Sequence, residues 1–126
     1  MCLGKICHGK LKMHTVNRSV SIIKPKQPFV DWINSQSSPE DMISLEDVRE
    51  DCMAVLLPQY DYDQEAIGYI EKLCTWIFET HLKREFRKKK NWPIKRDYET
   101  FKKWFDVELH SIIIDSYEDD IEKETY

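Results

Sequence analysis

Asp106, Glu108 and His110 alternate with Val107 and Leu109 near the end of the sequence. In an extended strand alternate residues share a face. Two carboxylates and an imidazole would then stand together, a set suited to a divalent ion or to acid–base chemistry. Same-face neighbours along one strand lie roughly 6.5–7 Å apart, which is long for three ligands of one ion without help from another segment. Asp61, in the run Tyr60-Asp61-Tyr62-Asp63, is the group that could join them, since neighbouring carboxylates raise one another's pKa. Each residue also has a plainer role. Asp106 can terminate a preceding helix, Glu108 and His110 can line the polar side of an edge strand, and the Tyr60–Asp63 run can form a turn with Asp63 as a helix cap.

A second constellation is electrostatic. Ten Lys or Arg residues fall between Lys83 and Lys103 against three acidic ones, a local balance of +7 in a chain whose net charge is −4. Lys88, Lys89 and Lys90 followed by Trp92 combine phosphate-neutralising cations with an aromatic that could stack on a base. No recognised nucleic-acid motif accompanies them. The competing reading is a solvated helix end, where lysines complement the helix dipole, with Trp92 turned inward beside Pro93. The tail from Asp115 to Tyr126 holds six carboxylate side chains and one lysine. It is expected to fray, or to fold back over the basic patch.

The remaining reactive side chains carry less. Cys2, Cys7 and His8 lack a second ligand pair for zinc. Cys52 and Cys74 fall in apolar segments and read as core residues. His14 and His81 have no readable catalytic partner. The four tryptophans, Trp32, Trp76, Trp92 and Trp104, fit core packing better than a ligand pocket, with Trp76 near the edge of its helix's apolar face. Three glycines form no phosphate-cradling loop, so no cofactor or metal site is expected.

At 126 residues, with 41% hydrophobic and 33% charged, the chain is sized for one domain with one core. No apolar stretch approaches the roughly 20 residues that cross a bilayer, and unpaired cysteine spacing argues against a disulfide scaffold. A cytoplasmic protein is the default expectation, and oligomeric state is not specified by any pattern. Residues 1–12 show no periodicity and read as a flexible extension, with the domain spanning 13–116 and an acidic tail at 117–126.

Within the domain, Thr15 to Lys24 is rich in β-branched residues and predicts a strand ended by Pro25. Phe29, Trp32 and Ile33 predict a short amphipathic helix with Pro28 in its first turn. Ser44 is placed to cap a brief helical turn. The continuous apolar run Cys52–Leu57 suits a central strand buried on both faces. Ala66, Ile67, Ile70, Leu73, Cys74, Ile77 and Phe78 recur every three or four residues, predicting the longest helix, from about residue 64 to 86. Asp97 opens another short helix with Tyr98, Phe101, Trp104 and Phe105 inward. A last strand runs from about Asp106 to Asp115. The fold class is therefore α+β, a small three-stranded sheet packed against helices in the order β-α-β-α-α-β.

Three segments resemble a family of small uncharacterised bacterial proteins: Ile23–Trp32, the Leu57-Pro58-Gln59-Tyr60-Asp61 turn, and Trp104–Ser111. The resemblance covers about Met13 to Ser116. It implies a bacterial, cytosolic protein and transfers no catalytic residue, because the family has no established activity. On the residues alone, the leading reading is a non-enzymatic protein-binding or interaction module that uses an exposed sheet edge or an aromatic helix face. Nucleic-acid binding through residues 83–103 is the first alternative. An enzyme using Asp106, Glu108 and His110 is the second.

Overall fold

The computed structural model describes residues 11–85 and 91–126. Five strands and four helices follow one another along it: β1 (Leu11–Thr15), β2 (Ser19–Pro25), α1 (Gln27–Ser35), α2 (Leu45–Val48), β3 (Met53–Leu57), α3 (Asp63–Glu85), α4 (Tyr98–Trp104), β4 (Phe105–His110) and β5 (Ile114–Tyr117). A 3₁₀ turn at Pro39–Asp41 precedes α2. The mixture of small sheets and helices agrees with the α+β expectation. The observed order β-β-α-α-β-α-α-β-β differs from the expected one by a strand at each end and by α2, the helical turn that Ser44 caps, before β3.

The main sheet has three antiparallel strands in the order β3-β2-β4. β2 is the middle strand, and its burial alternates: Ser19, Ser21, Ile23 and Pro25 face the core. The two serines do so without stranded hydroxyls, since Ser19 Oγ donates to Pro58 O and Ser21 Oγ to Val55 O, both at 3.0 Å. β3, expected at the centre with both faces buried, is instead an edge. Leu57 is 1% exposed while its neighbour Leu56 is 50% exposed. The apolar run misled because Ala54 and Leu56 occupy the open face of the sheet, so a continuous hydrophobic segment is covered on only one side.

β1 and β5 form a separate two-stranded ribbon, with Leu11 opposite Tyr117 and Thr15 opposite Ile114. Leu11 and Lys12 therefore belong to a strand and not to an extension. β1 with β2, and β4 with β5, are two long stretches that pair twice. Between the pairs Thr15–Ile114 and Val20–His110, four residues (16–19) stand against three (111–113). One extra residue breaks the ladder in the manner of a bulge, which is why the single strand expected from Asp106 to Asp115 is divided.

The helices form as the spacing predicts. α1 begins with Pro28 in its first turn and buries Phe29, Val30 and Ile33. Ser44 caps α2 through a reciprocal capping box with Asp47. Asp97 caps α4, its carboxylate accepting from Thr100 N at 2.9 Å. α3 buries Ala66, Ile70, Cys74, Ile77, Phe78 and Leu82. Phe105, the first residue of β4, is the aromatic hub. Its ring lies 4.8–5.3 Å from those of Phe29, Phe78, His81 and Phe101, within the range of favourable ring packing. Among the described residues no helix is long and apolar enough to cross a membrane.

Candidate functional site

β4 places Asp106, Glu108 and His110 on its exposed side and turns Phe105, Val107 and Leu109 towards the helices. The three polar residues do share a face, as their spacing predicts, and they are already engaged with neighbours. Glu108 Oε2 accepts from Lys24 Nζ and Glu108 Oε1 from His110 Nε2, each at 2.7 Å. The hydrogen bond from Lys24 holds the Glu108 carboxyl below the usual carboxylate range, helped by the bond from His110, and the same bond raises Lys24. Asp106 faces Arg49 Nη2 at 3.4 Å and Lys26 Nζ at 3.8 Å. Each carboxylate is thus turned to cations, and among the described residues no three His, Cys, Asp or Glu side chains converge to hold a metal ion.

Asp61 does not join this row. Leu57 pairs with Ser19, whereas Asp106 pairs with Lys24 near the other end of β2. The chain therefore leaves β3 for Asp61 at the end of the sheet remote from Asp106. The Asp61 N–H donates to Glu65 Oε1 at 3.1 Å, as does that of Tyr62 at 3.2 Å, so this segment serves the start of α3 as the turn reading requires. Asp61 is thus separated along the sheet from Asp106, and its backbone N–H is engaged in its own turn.

Lys88, Lys89 and Lys90 lie outside the described residues. Trp92 is 7% exposed and belongs to the core, so its ring is not presented for base stacking. The segment after it is fastened to α3. Arg96 lies over the Trp92 ring at 5.6 Å, its Nε meets Glu79 Oε2 at 3.0 Å, and Arg96 O accepts from Thr75 Oγ1 at 3.1 Å. At the other end of the chain, Tyr126 meets the half-exposed Trp76 edge-on, with ring centroids 5.3 Å apart.

The buried reactive groups are packing residues. Cys74 is 4% exposed, and burial pushes its thiol up. Cys52, by contrast, is only partly buried and lies outside the core expected for it, with its thiol donating to Arg49 O at 3.6 Å. His81 sits among the Phe29 and Phe105 rings and its Nδ1–H donates to Ile77 O at 2.8 Å. Burial, with the charge of Arg84, holds its pKa below the ordinary histidine value. It lines a cavity of about 30 Å³ together with Pro25, Phe29, Cys52 and Met53, room for little more than one water.

The sequence reading names an exposed sheet edge as a binding surface without its groove, and β4 supplies such an edge. Lys26 N–H donates to Trp104 O at 2.7 Å. In an antiparallel ladder bonded pairs recur every second residue. Lys24–Asp106, Ile22–Glu108 and Val20–His110 are therefore the bonded pairs of β2 and β4. The intervening residues direct their N–H and C=O away from β2. The Phe105 N–H is taken by Phe101 O, while Val107 and Leu109 have no other backbone partner among the described residues. Along this free edge runs a groove of about 330 Å³, lined by Ile67 and Ile70 of α3, Tyr98, Phe101 and Lys102 of α4, and Phe105 to Val107 with Leu109 of β4. The alternation Phe-Asp-Val-Glu-Leu-His is the sequence signal of a half-buried strand, but only the strand order shows that its edge is open.

Comparison with family models, curated proteins and solved structures found no match for this chain.

Proposed function

We propose that this chain is a non-enzymatic protein-interaction module that binds an extended segment of another protein as an added strand on β4. The observation that carries this reading is the coincidence of unpaired Val107 and Leu109 backbone groups with an apolar groove beside them. In strand addition the main chain supplies affinity, and pockets for alternate side chains supply selectivity. A residue added opposite Val107 or Leu109 would point its side chain to the same face as theirs, into the groove. The β3 edge has open backbone positions at Ala54 and Leu56 as well, but their side chains lie on the exposed face. A cytosolic bacterial setting is part of the proposal and rests on the resemblance of Ile23–Trp32, Leu57–Asp61 and Trp104–Ser111.

The ion-paired state of Asp106 and Glu108 supports a positioning role for the polar face of β4, where Lys24, Lys26 and Arg49 tie the edge strand to its neighbours. Burial of Trp92 removes the aromatic half of the nucleic-acid reading, leaving it only the basic residues.

Selection from a library of random peptides displayed on phage tests the proposal. Peptides that bind the wild-type chain should be dominated by alternating apolar sequences and should lose binding to Val107→Pro. Proline removes the outward N–H while leaving the bonds to β2, and edge positions tolerate it. Selected peptides that bind Val107→Pro and Ile67→Ser as well as wild type would overturn strand addition on β4.

A further inference from the structure

The groove has a charge direction. α3 starts at the Leu109 end of the sheet, since it follows β3 where Leu57 pairs with Ser19 beside the Val20–His110 pair, and Asp63, one turn before the lining residue Ile67 on the same helix face, is exposed with no cation paired to it among the described residues. Glu65 spends one carboxylate oxygen on the two backbone N–H groups of the turn. At the Phe105 end stands the last turn of α4, with Lys102 and Lys103 exposed. Lys102 forms part of the groove wall and meets Glu99 at 3.2 Å on the solvent side. Of the two acidic residues at that end, Glu99 is the one that pairs with Lys102, and Asp106, part of the groove wall, faces Lys26 and Arg49.

A strand added antiparallel to β4 would enter beside the acidic start of α3 and leave beside the basic end of α4. Every strand pair among the described residues is antiparallel, and that pairing is the more stable per residue. Resting on the strand-addition reading, we infer that the partner is an extended peptide segment with a basic N-terminal end, alternating apolar residues at its centre and an acidic C-terminal end. Complementary charges at both ends fix register and direction, because reversing the segment sets lysine against Lys102 and carboxylate against Asp63. The alternating centre places every second side chain between Ile67 and Leu109. This choice separates the peptide from a second copy of the chain, whose own β4 carries Asp106 and Glu108 and would bring carboxylates of the two copies opposite each other in the registers centred on Val107 or Glu108.

The test uses two fluorescein-labelled synthetic peptides, each with capped ends and a centre of alternating valine and threonine. One has paired lysines before the centre and paired glutamates after it, and the other has these charges exchanged. Fluorescence anisotropy against the full chain at low salt should show the first binding about tenfold more tightly than the second, the scale of one charge-assisted contact. The difference should shrink as salt is added. Val107→Pro, and independently Ile67→Ser should the proline variant fail to fold, should each weaken the first peptide by about tenfold or more. Equal affinity for the two peptides, with both variants still damaging, would overturn the charge order and leave strand addition standing. Affinity for neither peptide while the library selection succeeds would overturn this partner class alone. A wild-type dimer in sedimentation that Val107→Pro returns to monomer would assign the edge to a second copy and overturn the peptide.

Discussion

Replacing His81 with leucine should flatten part of the protein's response to acid. The imidazole is 5% exposed, packed against Phe29 and Phe105, and its pKa is lowered first by burial and then by the charge of Arg84. In the unfolded chain the same group titrates near its ordinary value of 6.5. Below that pH the unfolded state binds a proton that the folded state resists, so stability falls as pH falls. The loss approaches about 1.4 kcal/mol per pH unit and stops where the folded group itself protonates. Leucine removes the titration at modest cost. The Ile77 carbonyl, which accepts the ring N–H, keeps its helical partner four residues on, and the site becomes wholly apolar. Urea unfolding of both proteins at pH 7.5, 6.5 and 5.5 measures the effect. Wild type should lose more than His81→Leu between the two lower values, up to a limit of about 1 kcal/mol set by a ring that stays neutral in the folded state. Parallel loss in the two proteins would show that His81 enters the folded state without a protonation penalty, which would refute the argument from burial.

Native-state hydrogen exchange should follow the alternation of β4, with the Glu108 and His110 amides protected and those of Val107 and Leu109 exchanging faster; uniform protection would mean the edge is covered. Two adjacent leucines offer a stability test of the sheet order: Leu57→Ala should cost about 2–5 kcal/mol and Leu56→Ala less than about 1 kcal/mol, read by urea midpoint at constant slope. Ser44→Ala should lower stability by about 1 kcal/mol through loss of the capping box, checked in the same unfolding assay. Removal of Tyr126 should shift Trp76 emission to longer wavelength by exposing its ring, and an unchanged spectrum would mean their contact does not persist in solution.

The helices were legible because their signals are local. Three- and four-residue spacing in α3, proline in the first turn of α1, and the Ser44 and Asp97 caps each act within one or two turns of chain. Strand order was not legible, because it is decided by partners far apart: Val20 pairs with His110 and with Leu56. The segment Cys52–Leu57 carries apolar side chains on both faces, and nothing within it says that one face remains open. β1 was missed for a different reason. Leu-Lys-Met-His-Thr has one β-branched residue and gains its extended form from pairing with β5. The candidate groove was hidden twice over, since its walls come from three elements and its significance depends on β4 being an edge.

The pairing of β2 with β4 also orders events in time. β2 lies between one strand that follows it by about thirty residues and another that follows it by more than eighty. During synthesis, β2 and β3 can meet once α3 begins to emerge, but Phe105 and its ring contacts arrive only with β4. Until then Phe29, Phe78 and His81 lack their common neighbour, and one side of β2 is an unpaired edge. Such distant closure slows folding relative to a helical domain of the same length. It also leaves the nascent chain with exposed strand and aromatic surface until β4 is made.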